Sequence, residues 1–75
     1  MLTKQEIETK VKTSFPDATV SANDLTGGGD HWQLTITSAS FKGLSMIQQH
    51  QLVYKALGSW LKNEIHALTL NTKTP

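Results

Sequence analysis

The sequence predicts a single α+β domain over residues 1–75, a three-stranded mixed sheet packed by helices on one face. Three observations predict it. Two stretches carry apolar residues at helical spacing behind capping signals, and three others alternate at the period of a strand. Their order is helix, strand, strand, helix, strand. A helix joining the second and third strands makes them a right-handed parallel crossover pair, while the first two strands are close enough in sequence to form a hairpin.

Thr3-Lys4-Gln5-Glu6 is a capping box with Thr3 as N-cap, and Leu2 and Ile7 hold the two positions of a hydrophobic staple. Ile7, Val11 and Phe15 follow at four-residue spacing and face the core. Glu6, Lys10 and Lys12 face water, and Pro16 and Asp17 end the helix. Ala18 to Leu25 reads as a strand with Val20 and Ala22 on one face and Thr19 and Ser21 on the other. Gly27, Gly28 and Gly29 break it. His31 to Ser38 is the second strand, with Trp32, Leu34 and Ile36 alternating against His31, Gln33, Thr35 and Thr37.

Phe41, Lys42 and Gly43 make a turn before a second capping signal, Ser45 with Gln48 three residues on. From Met46 to about Glu64 the pattern is helical, and steps of 100° gather Ile47, Val53, Tyr54, Leu57, Trp60 and Leu61 on one core-facing arc. His50 falls inside that arc. Gly58 predicts a bend or division near the end of the run. Ile65 to Thr72 alternates as the third strand, and a polar tail closes at Pro75.

At 75 residues a domain buries only about 60% of the surface its unfolded chain exposes, so the core is thin. With no cysteine, neither a disulfide nor a thiolate site made by this chain alone reinforces it. Seven lysines, no arginine and six acids leave a net charge of +1. That balance argues against nucleic-acid binding, which needs a basic patch and favours the arginine fork. No apolar run approaches the roughly 18 residues of a membrane span. The expected location is cytoplasmic, with an organelle, reached through a removed targeting segment, as the alternative.

The three histidines carry different weight. His50, between core positions on the long helix, reads as structural, its ring nitrogens bonded to nearby groups. His31 opens the second strand and His66 opens the third. Parallel neighbours start at the same end of a sheet, about 4.8 Å apart. Two neutral imidazoles placed so can supply half a coordination shell, and the remaining ligands must come from a partner or from water. Enzymatic signals are weak: Ser45 and Ser59 lack a nucleophile elbow, no phosphate-binding loop is present, and Asp30 beside His31 is an orienter at most. The reading is non-enzymatic.

FKGLSMIQQHQLVYKAL, residues 41 to 57, resembles the signature of BolA-like proteins. IHALTLNTKTP, residues 65 to 75, resembles their third strand with its His-Ala-Leu motif, and DHWQLTI, residues 30 to 36, the opening of their second. The resemblance implies a fold similar to the class II K-homology (KH-like) domain. It also implies a monothiol, CGFS-type glutaredoxin partner with which a 2Fe-2S cluster is shared, glutathione and the glutaredoxin supplying thiolates. Carried over by position, the metal ligands are His66 and His31. Gly28 stands where some relatives have a cysteine. Gly28 and Gly29 are then a mobile, side-chain-poor approach for the partner. The chain alone is expected to be a monomer without cofactor, and with its partner a heterodimer.

The alternative is a small DNA-binding regulator meeting phosphates through Lys42, Lys55 and Lys62. Two departures weaken it. Gln49-His50-Gln51 stands where many relatives have Arg-His-Arg, and Gly43-Leu44-Ser45-Met46 lacks the GxxG clamp of K-homology domains.

Overall fold

The computed structural model describes every residue except Met1, Glu64 and His66, and describes Asn63 by its backbone alone. The elements are α1 (Lys4–Ser14), β1 (Thr19–Asp24), β2 (His31–Thr37), a 3-10 turn (Ala39–Phe41), α2 (Met46–Leu57), α3 (Trp60–Asn63) and β3 (Ala67–Lys73). Both capping boxes form. Thr3 Oγ1 accepts from the Glu6 N–H at 3.2 Å while Glu6 Oε1 accepts from the Thr3 N–H at 2.9 Å. Ser45 and Gln48 repeat the exchange at 3.2 and 3.0 Å. Each box satisfies donors that a helix N-terminus otherwise leaves orphaned. The long second helix divides at Gly58, whose N–H bonds to the Tyr54 carbonyl at 2.9 Å.

The sheet order is β1-β2-β3, with β1 antiparallel and β3 parallel to β2. The bonds at the strand ends reveal how the central strand divides its backbone groups. Leu25 N donates to His31 O at 2.8 Å, Ala67 N donates to Asp30 O at 3.3 Å, and Ser38 N donates to Lys73 O at 3.0 Å. Backbone groups of successive residues point to opposite sides of a strand. His31, Gln33, Thr35 and Thr37 therefore bond towards β1, and Trp32, Leu34 and Ile36 towards β3.

Trp32, Leu34 and Ile36 point their side chains into the core, and the residues between them are half-buried on the opposite face. Ile7 and Val11 of α1 and Val53 and Leu57 of α2 cover that core with no exposed surface. The Phe15 and Phe41 rings meet at 5.3 Å where α1 ends. Leu2 and Ile7 are both buried, as a staple requires.

Two core assignments fail. Ile47 is 71% and Tyr54 42% exposed. The helical layer has only two main members, and α1 covers one flank of α2: Lys10 Nζ lies 4.7 Å from the centre of the Trp60 ring that follows α2. Ile47 and Tyr54 lie on a side of α2 that no element among the described residues buries. Among the described residues no helix is long and apolar enough to cross a membrane.

Candidate functional site

β2 begins at His31 and β3 at Ala67, and the parallel register sets these two residues opposite each other. The Ala67 amide donates to the carbonyl of Asp30, the residue before His31. The parallel pairing expected from the helical crossover is therefore present at the end of the sheet where the glycine segment arrives. His66, the residue before Ala67 in the chain, lies outside the described residues.

The His31 ring is oriented by its own neighbour. Nδ1 sits 2.9 Å from Asp30 Oδ1, with the two side chains 41% and 36% exposed. A carboxylate only accepts, so Nδ1 carries the hydrogen. The bond from His31 is the largest cause holding the Asp30 carboxyl below its usual range; the attraction of the imidazole and the Thr26 hydroxyl add to it, against a partial loss of solvation. An imidazole that gives one N–H to a carboxylate has its tautomer and ring orientation fixed, the arrangement common behind metal-binding histidines.

The glycine segment, expected to be mobile, is bonded along its length. Asp24 Oδ1 accepts from the amides of Thr26 at 3.3 Å and Gly27 at 3.0 Å, and its Oδ2 accepts from Gly29 at 2.9 Å. Thr26 Oγ1 accepts from the Gly28 amide and donates to Asp30 Oδ1, both at 3.3 Å. The Gly29 carbonyl accepts the buried Trp32 Nε1–H at 2.9 Å. Gly27 and Gly29 adopt φ of 79° and 77°, a left-handed region that side chains resist, which is why glycine stands there. Gly28 answers a different demand, since a Cβ on it would come within 3.2 Å of Asp30 Oδ1. The Asp-His pair was legible as an orienter. The role of Asp24 was missed, although an aspartate just before a glycine run is the signal of a side chain that closes a turn on following amides.

The remaining predicted residues do not join this cluster. His50 is half-buried on α2, and its Nε2 is buried without a hydrogen-bond partner, so the expected bonding of both ring nitrogens is not met. Its ring contacts Tyr54 edge-on at 6.4 Å. Lys42 stands in the turn before α2, Lys55 in the last turn of α2 and Lys62 in α3, all exposed. Nine residues of helix, about 14 Å at 1.5 Å each, separate the start of α2 from Lys55, so Lys42 and Lys55 stand at opposite ends of that helix. Among the described residues no three histidine, cysteine or carboxylate side chains converge as a metal site.

The family model for BolA-like protein matches residues 3–75. An uncharacterised protein of Rickettsia prowazekii is 39% identical over 71 residues, covering 95% of this chain and 92% of that one. The DNA-binding transcriptional regulator BolA of Haemophilus influenzae is 32% identical over 82 residues, covering 100% and 80%. Among solved structures, the BolA domain of SufE1 from Arabidopsis thaliana superposes with a TM-score of 0.88 at 29% identity, covering 100% of this chain and 96% of that one. The match to BolA-like protein 1 of Mus musculus is 39% over 49 residues and spans only 36% of that protein.

Proposed function

Because this chain belongs to the BolA-like protein family, we propose that it is a non-enzymatic adaptor that shares a 2Fe-2S cluster with a monothiol glutaredoxin, in iron-sulfur trafficking or iron sensing. His66 and His31 are the two ligands this chain contributes, and the glutaredoxin cysteine and glutathione complete the shell. The observation that carries the reading is the pairing of His31 with Ala67, which brings the chain next to His66 to the strand end where Asp30 holds the His31 ring. A similar domain occurs within SufE1 of Arabidopsis thaliana.

The donor set fits such a group only as half a site. The chain has no cysteine, so a cluster closed by this chain alone lacks the thiolates that hold iron and sulfide together. Imidazole in place of thiolate makes a bound cluster less negative and raises its potential, which suits release or sensing. The residues of this chain have preparatory roles. Asp30 fixes the His31 tautomer, Asp24 pins the approach by holding three amides, and Gly28 keeps space beside the Asp30 carboxylate.

The deciding experiment mixes the protein with a monothiol glutaredoxin, iron, sulfide and glutathione. A heterodimer should form with an absorption and circular dichroism spectrum distinct from that of the glutaredoxin homodimer. His66→Ala should abolish the distinct spectrum, and His31→Ala should weaken it. An unchanged spectrum and complex stability in His66→Ala overturns the ligand assignment.

A second reading has one observation in its favour, the similarity to the DNA-binding transcriptional regulator BolA of Haemophilus influenzae. Contacts through Lys42, Lys55 and Lys62 would give a logarithmic salt slope of roughly −3 for duplex DNA, from about 0.9 per phosphate neutralised. A gel shift across a salt series tests it, and no binding at low salt ends it.

A further inference from the structure

The two edges of the sheet are treated differently. On β1 the outward-facing residues are Val20, Ala22 and Asp24, because Leu25 bonds towards β2 and the direction alternates. The Ala22 amide is capped there by Glu8 Oε2 of α1 at 3.3 Å. On β3, Ala67 and Lys73 bond towards β2, so Leu68, Leu70 and Thr72 turn their N–H and C=O groups to the open side. Among the described residues no side chain caps the N–H of any of the three. Natural sheets blunt such an edge with charge, proline or a bulge. From Ala67 to Thr72 this strand has none of the three.

The same three residues point their side chains to the helical layer: Leu68 and Leu70 are half-buried and Thr72 is buried, while Ala67, Thr69, Asn71 and Lys73 are exposed on the other face. Thr72 Oγ1 donates to Gln49 Oε1 at 2.6 Å, which sets α2 directly over β3. The same helix carries Ile47 and Tyr54, seven residues apart on one side and both exposed. An open backbone edge thus lies beside a helix with an exposed apolar stripe.

Charge selects the occupant. In α2 and β3 the only formally charged side chains are Lys55 and Lys73, and from residue 42 to the end of the chain Lys42, Lys55, Lys62 and Lys73 stand against Glu64 alone. We propose that the free edge of β3, beside the Ile47 and Tyr54 stripe of α2, accepts an extended acidic segment of a partner protein as a fourth strand. Its main-chain groups pair with those of Leu68, Leu70 and Thr72. Apolar residues at alternate positions pack under α2, and the acidic residues between them face the exposed side with Lys73. The inference uses no residue of the glycine loop and no cluster, so it stands apart from the metal reading.

The probe is an octapeptide of strictly alternating glutamate and valine, capped at both ends, titrated into the labelled full chain. Amide exchange with water is read by NMR. Without peptide, Leu68, Leu70 and Thr72 should exchange faster than Thr69 and Asn71. With peptide at about ten times its dissociation constant, exchange at the first three should slow by about tenfold. A lysine-valine octapeptide at the same concentration should leave them unchanged.

Leu70→Pro removes one outward N–H without touching the bonds to β2, a substitution that edge strands tolerate, and should abolish the slowing. If that variant does not fold, Ile47→Gln, at a position already in water and with no change of charge, should weaken peptide binding several-fold. Three results overturn the proposal: no slowing at millimolar peptide, slowing at Val20 or Asp24 instead, or equal binding of the lysine-valine peptide. Slowing that depends on protein concentration without peptide overturns it too, by making a second copy of this chain the occupant.

Discussion

Asp17 and Ser38 are joined across 21 positions of the chain: Ser38 Oγ donates to Asp17 Oδ1 at 2.9 Å, and the next amide, that of Ala39, donates to Oδ2 at 2.8 Å. One carboxylate thereby ties the corner after α1 to the exit of β2, and Ser38, fully buried, also accepts the Ser40 amide as the cap of the 3-10 turn.

The clasp predicts a dependence on acid. The Ala39 amide, first, and the Ser38 hydroxyl, second, hold the Asp17 carboxyl below its ordinary value of 3.8. A carboxyl whose folded value lies below its unfolded one stabilises the fold above the unfolded value, and the contribution disappears as pH falls through the folded value. Asp17→Asn should therefore lower Tm at neutral pH and flatten the fall of Tm below about pH 4. Thermal melts of both proteins over that range measure it, and parallel curves would remove Asp17 from the account of acid stability.

Gly28→Ala should disturb His31 without unfolding the domain. The added Cβ meets Asp30 Oδ1 at 3.2 Å, tight enough that the carboxylate must shift. Nitrogen NMR of the ring should report a smaller share of the Nδ1–H tautomer, with Tm nearly unchanged. A full share of that tautomer in the variant would mean the carboxylate accommodates the methyl in place.

Trp32→Phe deletes the donor to the buried Gly29 carbonyl. Leaving such a group unsatisfied costs about 1–3 kcal/mol. Urea unfolding should show that loss, and the Gly27 and Gly29 amides should exchange faster. A loss well under 1 kcal/mol would show that water takes over the carbonyl.

Ser45→Ala removes one half of the capping box that starts α2. The expected cost is about 1 kcal/mol, with Ser45→Gly losing less. Equal losses in the two variants would assign the effect to the backbone rather than to the cap.

Most of the architecture was legible because it rests on local rules. Capping boxes at Thr3 and Ser45, strict alternation from His31 to Thr37, and the break at Gly58 all follow from neighbours within four residues. The strand order followed from one longer-range rule, that a helical crossover joins parallel neighbours. The misassigned residues mark where local rules stop. Ile47 and Tyr54 lie on a helix arc that is apolar by spacing, yet burial depends on whether a neighbour covers that side, and among the described residues both stay exposed.

The acids show the same limit. Glu8, Asp17 and Asp24 look like surface charge in the sequence, but each accepts from backbone amides: Glu8 from Ala22, Asp17 from Ala39, and Asp24 from its own loop. Only the Asp24 pattern is short enough to be read from spacing. At the site, the pairing of the His31 strand with the Ala67 strand was legible, as was Asp30 as an orienter. The bracing of the glycines was not, because it depends on which amides turn towards one carboxylate.

The division of β2, with alternate residues bonding to opposite neighbours, has a kinetic consequence. The β1–β2 hairpin closes a short loop, whereas β3 reaches β2 across the intervening helices, and such non-local pairing costs more chain entropy. No backbone group of β2 serves both neighbours, so β3 can detach while every hairpin bond survives. Such a detachment is a local opening of lower free energy than global unfolding. It would carry Ala67 away from His31 and leave Asp30 and the glycine loop assembled, so the two strand ends could part without the protein losing its fold.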